Sequence, residues 1–210
     1  MNSCSLSRFW WFYLAQLALC SAALAAPLTG RDLTGALQRG GYVILMRHAS
    51  SPVTPPDAAH AELGNVKNER QLDEKGRASA RSMGAVFRRL RIPVGRVLSS
   101  PTYRALETER LARFGPVQTF SELGDAGKSM SADATGARGR WLRSQVAQSP
   151  KAGTDTIIIT HAPNIAEAFP LDVKDLGDGA ALIFRPDGSG GVLLVARVKI
   201  EEWSQLADSR

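Results

Sequence analysis

Two segments constrain this chain more than any others. Val43-Ile44-Leu45-Met46 is an apolar run that ends in Arg47-His48, and Thr156-Ile157-Ile158-Ile159-Thr160 is a second that ends in His161. The 210 residues include three histidines, so two of them stand where an apolar run stops. Short continuous runs rich in isoleucine and valine suit strands covered on both faces, as in a parallel sheet. In an open α/β sheet, ligands bind outside the carboxyl ends of the strands. A third run, Arg96-Val97-Leu98-Ser99, precedes Ser100-Pro101-Thr102-Tyr103-Arg104 and brings a further arginine to the same edge.

The rest of the pattern agrees with such a sheet. Residues 34–38 read as a short helix closed by Gly40-Gly41, and residues 42–46 as the first strand. Residues 50–71 hold Pro52, Pro55, Pro56 and Gly64, so they cannot form one helix; a segment this irregular inside a domain reads as a lid or binding loop. Asp73 reads as the N-cap of a helix over residues 74–90 that Pro93 stops. A strand is expected at 96–99. Ser100 then caps a helix that Pro101 opens and that runs to Phe114. Residues 117–120 predict a short strand, 138–148 a helix, 156–160 a strand, and 162–169 a short helix opened by Pro163. Two runs over 180–185 and 191–199 flank Pro186-Asp187-Gly188-Ser189-Gly190, which is a hairpin signal. The alternation predicts an α/β fold: a three-layer αβα sandwich, its central sheet mostly parallel with an antiparallel strand near the C-terminal end.

Residues 1–26 stand apart. Arg8 is followed by Phe9-Trp10-Trp11-Phe12-Tyr13-Leu14 and then by small residues through Ala26, the pattern of a cleavable secretory leader. The alternatives are an uncleaved anchor, for which the apolar run is short against a span of roughly 20 residues, and a lipoprotein at Leu17-Ala18-Leu19-Cys20, where the bulky Leu19 fits poorly. Residues 27–210 are then expected to form one domain that is exported, into a bacterial periplasm, with no membrane span after cleavage. Both cysteines, Cys4 and Cys20, fall in the leader. That removes disulfides, a thiol nucleophile and cysteine-ligated zinc from the mature part together. The formal charge of +6 admits an anionic partner. The basic residues are scattered, and Arg88-Arg89-Leu90-Arg91 suits the C-terminal end of a helix. No nucleic-acid motif accompanies them, so no nucleic-acid partner is expected.

The chemistry follows from the edge residues. Arg104 lies in the first turn of a helix whose N-terminus is already positive, which favours a nearby anion such as phosphate. Arg47 ends a buried strand and needs an anionic partner, either a carboxylate or a bound phosphate. One such pair at about 4 Å contributes on the order of 4 kcal/mol at an effective dielectric near 20. Neutral imidazole attacks phosphorus competently, so His48 is the candidate nucleophile, its other ring nitrogen fixed by a backbone carbonyl. His161 is the candidate second imidazole, donating to the transferred group. Zinc is the competing use of two histidines, with His60, Asp57 and Glu62 as further donors, yet no metal-ligand spacing is present. A leaving alkoxide needs a proton, for which Glu122 is the candidate and Asp125 the alternative.

Together these segments resemble the histidine phosphatase, or phosphoglycerate mutase-like, superfamily. Leu45-Met46-Arg47-His48-Ala49 resembles its nucleophile motif, and Ser99-Ser100-Pro101-Thr102-Tyr103-Arg104-Ala105-Leu106-Glu107-Thr108 its phosphate-binding motif. Ile159-Thr160-His161-Ala162 resembles the segment with the second histidine, and Gln71-Leu72-Asp73-Glu74-Lys75-Gly76-Arg77 the helix start between them. Ala49 and Ala162 replace the usual glycines. The resemblance implies a phosphomonoesterase with a phospho-His48 intermediate, a pocket completed by Arg47, Arg104 and His161, and no metal or other cofactor. The leader, together with Asn164-Ile165, resembles exported members, whose substrates include phosphorylated small molecules and lipopolysaccharide-type sugar phosphates. The other readings are a catalytically weak phosphate- or phosphoprotein-binding module and a phosphomutase.

Overall fold

The computed structural model describes residues 26–52, 67–125, 136–173 and 176–208. The leader expected in residues 1–26 falls outside these but for Ala26, as do Asp57, His60 and Glu62 and most of the irregular segment between the first strand and the second helix.

The elements follow in the order α1 Gly30–Arg39, β1 Val43–Arg47, α2 Glu74–Leu90, β2 Val94–Ser99, α3 Tyr103–Ala112, β3 Val117–Thr119, a 3-10 turn Ser121–Leu123, α4 Ala137–Val146, β4 Asp155–Thr160, α5 Ala162–Ala168, β5 Ala181–Pro186, β6 Val192–Val198 and α6 Glu202–Asp208. The six strands form one sheet in the order β3-β2-β4-β1-β5-β6. β1 and β2 both pair parallel with β4, and β3 pairs parallel with β2. β5 runs antiparallel to both β1 and β6. The expected three-layer sandwich with one antiparallel strand near the end is therefore the observed one.

Strand side chains alternate between two cores, as a pleated sheet covered on both faces requires. Ile44, Met46, Ile157 and Ile159 join Leu37, Met83, Phe87, Leu90 and Trp203 from α1, α2 and α6. Val43, Leu45, Leu98 and Ile158 join Leu142, Val146, Ile165 and Ala168 from α4 and α5. Each of the Val, Leu, Ile, Met and Phe side chains among these contributes roughly 1.5–3 kcal/mol on full burial, so the register of the central strands is strongly specified: slipping by one residue would exchange the two cores.

Several boundaries differ from those expected. α1 is longer, and α6 is an additional helix, short and amphipathic, that buries Trp203, Leu206 and Ala207. α3 begins at Tyr103 with Thr102 as N-cap, and the Ser100 hydroxyl ahead of it accepts both from Thr102 N at 3.3 Å and from His161 Nε2 at 2.9 Å. It ends before Phe114, at Arg113 in the left-handed region (φ 58).

The start of α2 is tied to the loop that follows β1. The Asp73 carboxylate accepts from the Gly76 backbone N–H at 2.6 Å and from the Ser50 hydroxyl at 2.7 Å, which holds its carboxyl below the ordinary range. A Cβ on Gly76 would lie 2.1 Å from the Ser50 carbonyl oxygen. Only glycine lets the helix approach the backbone two residues after His48 this closely.

Candidate active site

The carboxyl ends of β1, β2 and β4 gather a buried polar cluster. His48 continues the parallel ladder past β1: its N–H donates to Thr160 O at 3.0 Å, and its carbonyl accepts from Gly179 N at 2.9 Å. Its Nδ1 lies 2.8 Å from Ala49 O. A carbonyl only accepts, so Nδ1 carries the proton and Nε2 the lone pair. Arg104 Nε donates to that lone pair at 3.2 Å.

Arg104 organises the rest. It stands in the first turn of α3 and is 2 % exposed. Its Nη2 donates to Asp125 Oδ2 at 2.7 Å and to His161 Nδ1 at 3.2 Å. Guanidinium never accepts, so His161 Nδ1 is an acceptor and its Nε2–H donates, to Ser100 Oγ at 2.9 Å and Thr102 Oγ1 at 3.3 Å. The two imidazoles stand edge to face with centroids 5.1 Å apart. Thr108 Oγ1 donates to Arg104 O at 2.7 Å and accepts from Ala49 N at 3.1 Å, which joins the helix bearing the arginine to the loop that follows His48.

Both rings are neutral. The pKa of His48 falls from 6.5 to about 3, first through burial and then through Arg104, Arg47 and Arg70, against an opposing pull from Ala49 O. That of His161 lies well below 6.5, again through burial first and then Arg104 and His48. Burial disfavours the imidazolium, and adjacent guanidiniums add to it. His48 Nε2 therefore keeps a lone pair across the physiological range, engaged by Arg104 Nε.

Of the residues expected here, His48, Arg104 and His161 are in direct contact. Arg47 acts on both rings through its charge. Its anionic partner is a carboxylate: Nη2 lies 2.7 Å from Asp178 Oδ1, and Nη1 reaches Leu176 O at 3.5 Å. Its Nε is buried and has no hydrogen-bond partner among the described residues. Of the two candidate acids, Asp125 is the one in the cluster. Glu122 is half-buried on the 3-10 turn, where its carboxylate accepts from Ser121 Oγ at 3.1 Å. The expected anion at the N-terminus of α3 is the buried Glu69 carboxylate, which accepts from Tyr103 N at 2.5 Å.

Arg70 had no sequence signal, since it follows an aperiodic stretch. Its Nε donates to Ser51 Oγ at 2.9 Å, and its pKa is lowered first by burial and then by Arg104 and Arg47. Arg47, Arg70 and Arg104 thus face Asp125 and Asp178 within one electrostatic neighbourhood, leaving one positive charge in excess among these five. Among the described residues no cluster of three His, Cys, Asp or Glu side chains has metal-holding geometry.

Neither a protein-family model nor a curated protein sequence matches the chain. Solved structures do. The protein histidine phosphatase SixA complexed with tungstate superposes with a TM-score of 0.56 at 17% identity, over 77% of this chain and 98% of that one. A phosphoserine phosphatase variant from Entamoeba histolytica, in complex with phosphoserine, gives 0.52 at 14% identity, over 76% and 98%. YhfR from Bacillus stearothermophilus gives 0.52 at 17% identity, over 74% and 95%. The chain shares its fold with these solved structures.

Proposed function

We propose that this protein is a phosphomonoesterase that works through a phosphohistidine at His48. The observation that carries the reading is the fork of Arg104, whose Nε and Nη2 meet the His48 lone pair and the Asp125 carboxylate in one buried cluster. A phosphate placed there takes over both guanidinium bonds, in the bidentate geometry that arginine and phosphate share. Nε2 of His48 is then freed, facing phosphorus. Two of the structural neighbours are named phosphatases, and one was solved with tungstate, a tetrahedral oxyanion like phosphate.

In the first step the Nε2 lone pair forms the N–P bond and the ester P–O bond breaks. As Arg104 turns to the phosphate, the Asp125 carboxylate it leaves takes up a proton from solvent, and the departing oxygen receives that proton. In the second step water attacks phosphorus, the N–P bond breaks, and Asp125 takes up the proton of the water. Arg47, Arg70 and Arg104 stabilise the charge spread over the phosphoryl oxygens. His161 lines the pocket. In the structure it offers Nδ1 as acceptor, so donation to the phosphoryl group requires a second ring proton or the other tautomer, which an incoming dianion favours. No metal enters this scheme. The leader over residues 1–26 directs the activity to an exported phosphorylated small molecule or a lipopolysaccharide-type sugar phosphate.

The test is hydrolysis of p-nitrophenyl phosphate in EDTA, with acid-quench trapping of labelled histidine. Metal-independent turnover that vanishes in His48→Ala is expected. Equal turnover by wild type and His48→Ala overturns the mechanism. Tight phosphate binding without turnover supports the binding-module alternative instead, and transfer to a second substrate rather than to water supports a mutase.

A further inference from the structure

Asn164 takes no part in the scheme above, yet it is 1 % exposed and sits in the first turn of α5, three residues after His161. Its Nδ2 donates to Gly124 O at 2.5 Å, to Glu122 O at 3.4 Å and to Thr160 Oγ1 at 3.2 Å. Thr160 Oγ1 in turn donates to Leu123 O at 2.8 Å. Two side chains from the end of β4 and the start of α5 therefore hold three successive carbonyls, those of Glu122, Leu123 and Gly124. The next residue is Asp125.

The chemistry of this contact is specific to an amide. Its surroundings are acceptors, so only the NH2 side of Asn164 fits against them, and an aspartate would set oxygen against oxygen. Asn164 Oδ1 is buried and has no hydrogen-bond partner among the described residues. A residue kept only to fill space would not leave a buried amide oxygen unmatched. The amide is retained for its donors, and these act on the backbone that sets where the Asp125 carboxylate stands.

We propose that Asn164, seconded by Thr160, is a positioning residue that holds Asp125 against Arg104. This rests on the phosphohistidine reading, with Asp125 as the proton carrier. Asn164 touches neither reacting ring, so its effect passes through Asp125. It should appear wherever the proton matters and be absent where it does not.

The experiment compares p-nitrophenyl phosphate, whose leaving group needs little protonation, with glycerol 2-phosphate, whose alkoxide needs a proton. In the full chain, Asn164→Ala should lower kcat/KM, which reports the step that forms the phosphohistidine, by roughly 10- to 100-fold on the alkyl ester and by less than about 3-fold on the aryl ester. In an Asp125→Asn background the same substitution should cost less than about 2-fold on either ester, because the group it positions is already gone. Thr160→Val, nearly isosteric, should show the same pattern more weakly and serves as the test if Asn164→Ala does not fold. Equal losses of kcat/KM on both esters, or losses that multiply in the double variant, overturn the proposal. An inactive wild type, or an active His48→Ala variant, refutes the underlying mechanism instead, so the two failures are distinguishable.

Discussion

The carboxyl edge of the sheet and the opposite edge each bury an aspartate, on opposite terms. At the carboxyl edge, Asp125 meets Arg104 at 2.7 Å, and both side chains are at most 4 % exposed. At the opposite edge, Asp155 opens β4 and is fully buried, with one donor, Tyr42 N at 2.9 Å, on Oδ1. Its Oδ2 has no hydrogen-bond partner among the described residues, and burial lifts its pKa from 3.8 to about 7. One carboxylate is paired with a guanidinium, while the other, with no cation beside it, keeps its proton up to about pH 7. Burial alone neutralises, and it takes a cation to keep a buried site charged and ready to handle an anion.

The two edges also titrate in opposite senses. Between about 4 and 7 the folded chain keeps a proton on Asp155 that the unfolded chain releases, so this group lowers stability as pH rises. From 6.5 down to about 3 the unfolded chain takes up a proton that folded His48 refuses, so that group lowers stability as pH falls.

The largest expected effect separates the edges by function. His48→Ala should reduce kcat by at least about 10^4-fold, whereas Asp155→Asn should leave kcat within about 2-fold. A comparable loss at Asp155, in the same steady-state assay, would erase the distinction. Next comes the ion pair. Arg104→Met strands Asp125 without its cation and should cost about 3–5 kcal/mol in urea unfolding, and adding Asp125→Asn should recover part of that. A double variant no more stable than Arg104→Met alone would mean that Arg104 does not hold Asp125 charged. Asp155→Asn keeps the acceptor for Tyr42 and removes the charge. It should raise stability by up to a few kcal/mol at pH 8 and leave it unchanged at pH 4, since each pKa unit is worth about 1.4 kcal/mol. A pH-independent effect would show that Asp155 does not titrate there. Smallest is Glu122→Gln, expected within about 2-fold on both aryl and alkyl phosphates. A loss confined to the alkyl ester would move the proton donor back from Asp125 to Glu122.

Much of this was legible in the chain itself. Isoleucine and valine runs mark β1 and β4, and the histidines after them fall at the carboxyl edge because a parallel strand delivers its C-terminal neighbour there. Asp73 and Gly76 mark the start of α2, and Ser99-Ser100-Pro101 the turn that presents Arg104. α6 was missed although Trp203, Leu206 and Ala207 have helical spacing, because so short an amphipathic stretch is stable only once its apolar side finds a core. Arg70, Glu69 and Asp178 were invisible for a different reason. They lie in irregular segments, where no period announces which way a side chain faces, and each meets its partner only across the fold.

The linear order of residues thus settled the sheet, the edge at which the buried polar cluster forms, and the imidazole and guanidinium types gathered there, because hydrophobic periodicity and turn chemistry are local properties. Which carboxylate joins Arg104, which nitrogen of each ring holds its proton, and which anion meets Arg47 were decided by tertiary packing alone. Those outcomes depend on separations of a few ångströms between segments far apart in the chain, and on the loss of water that burial imposes.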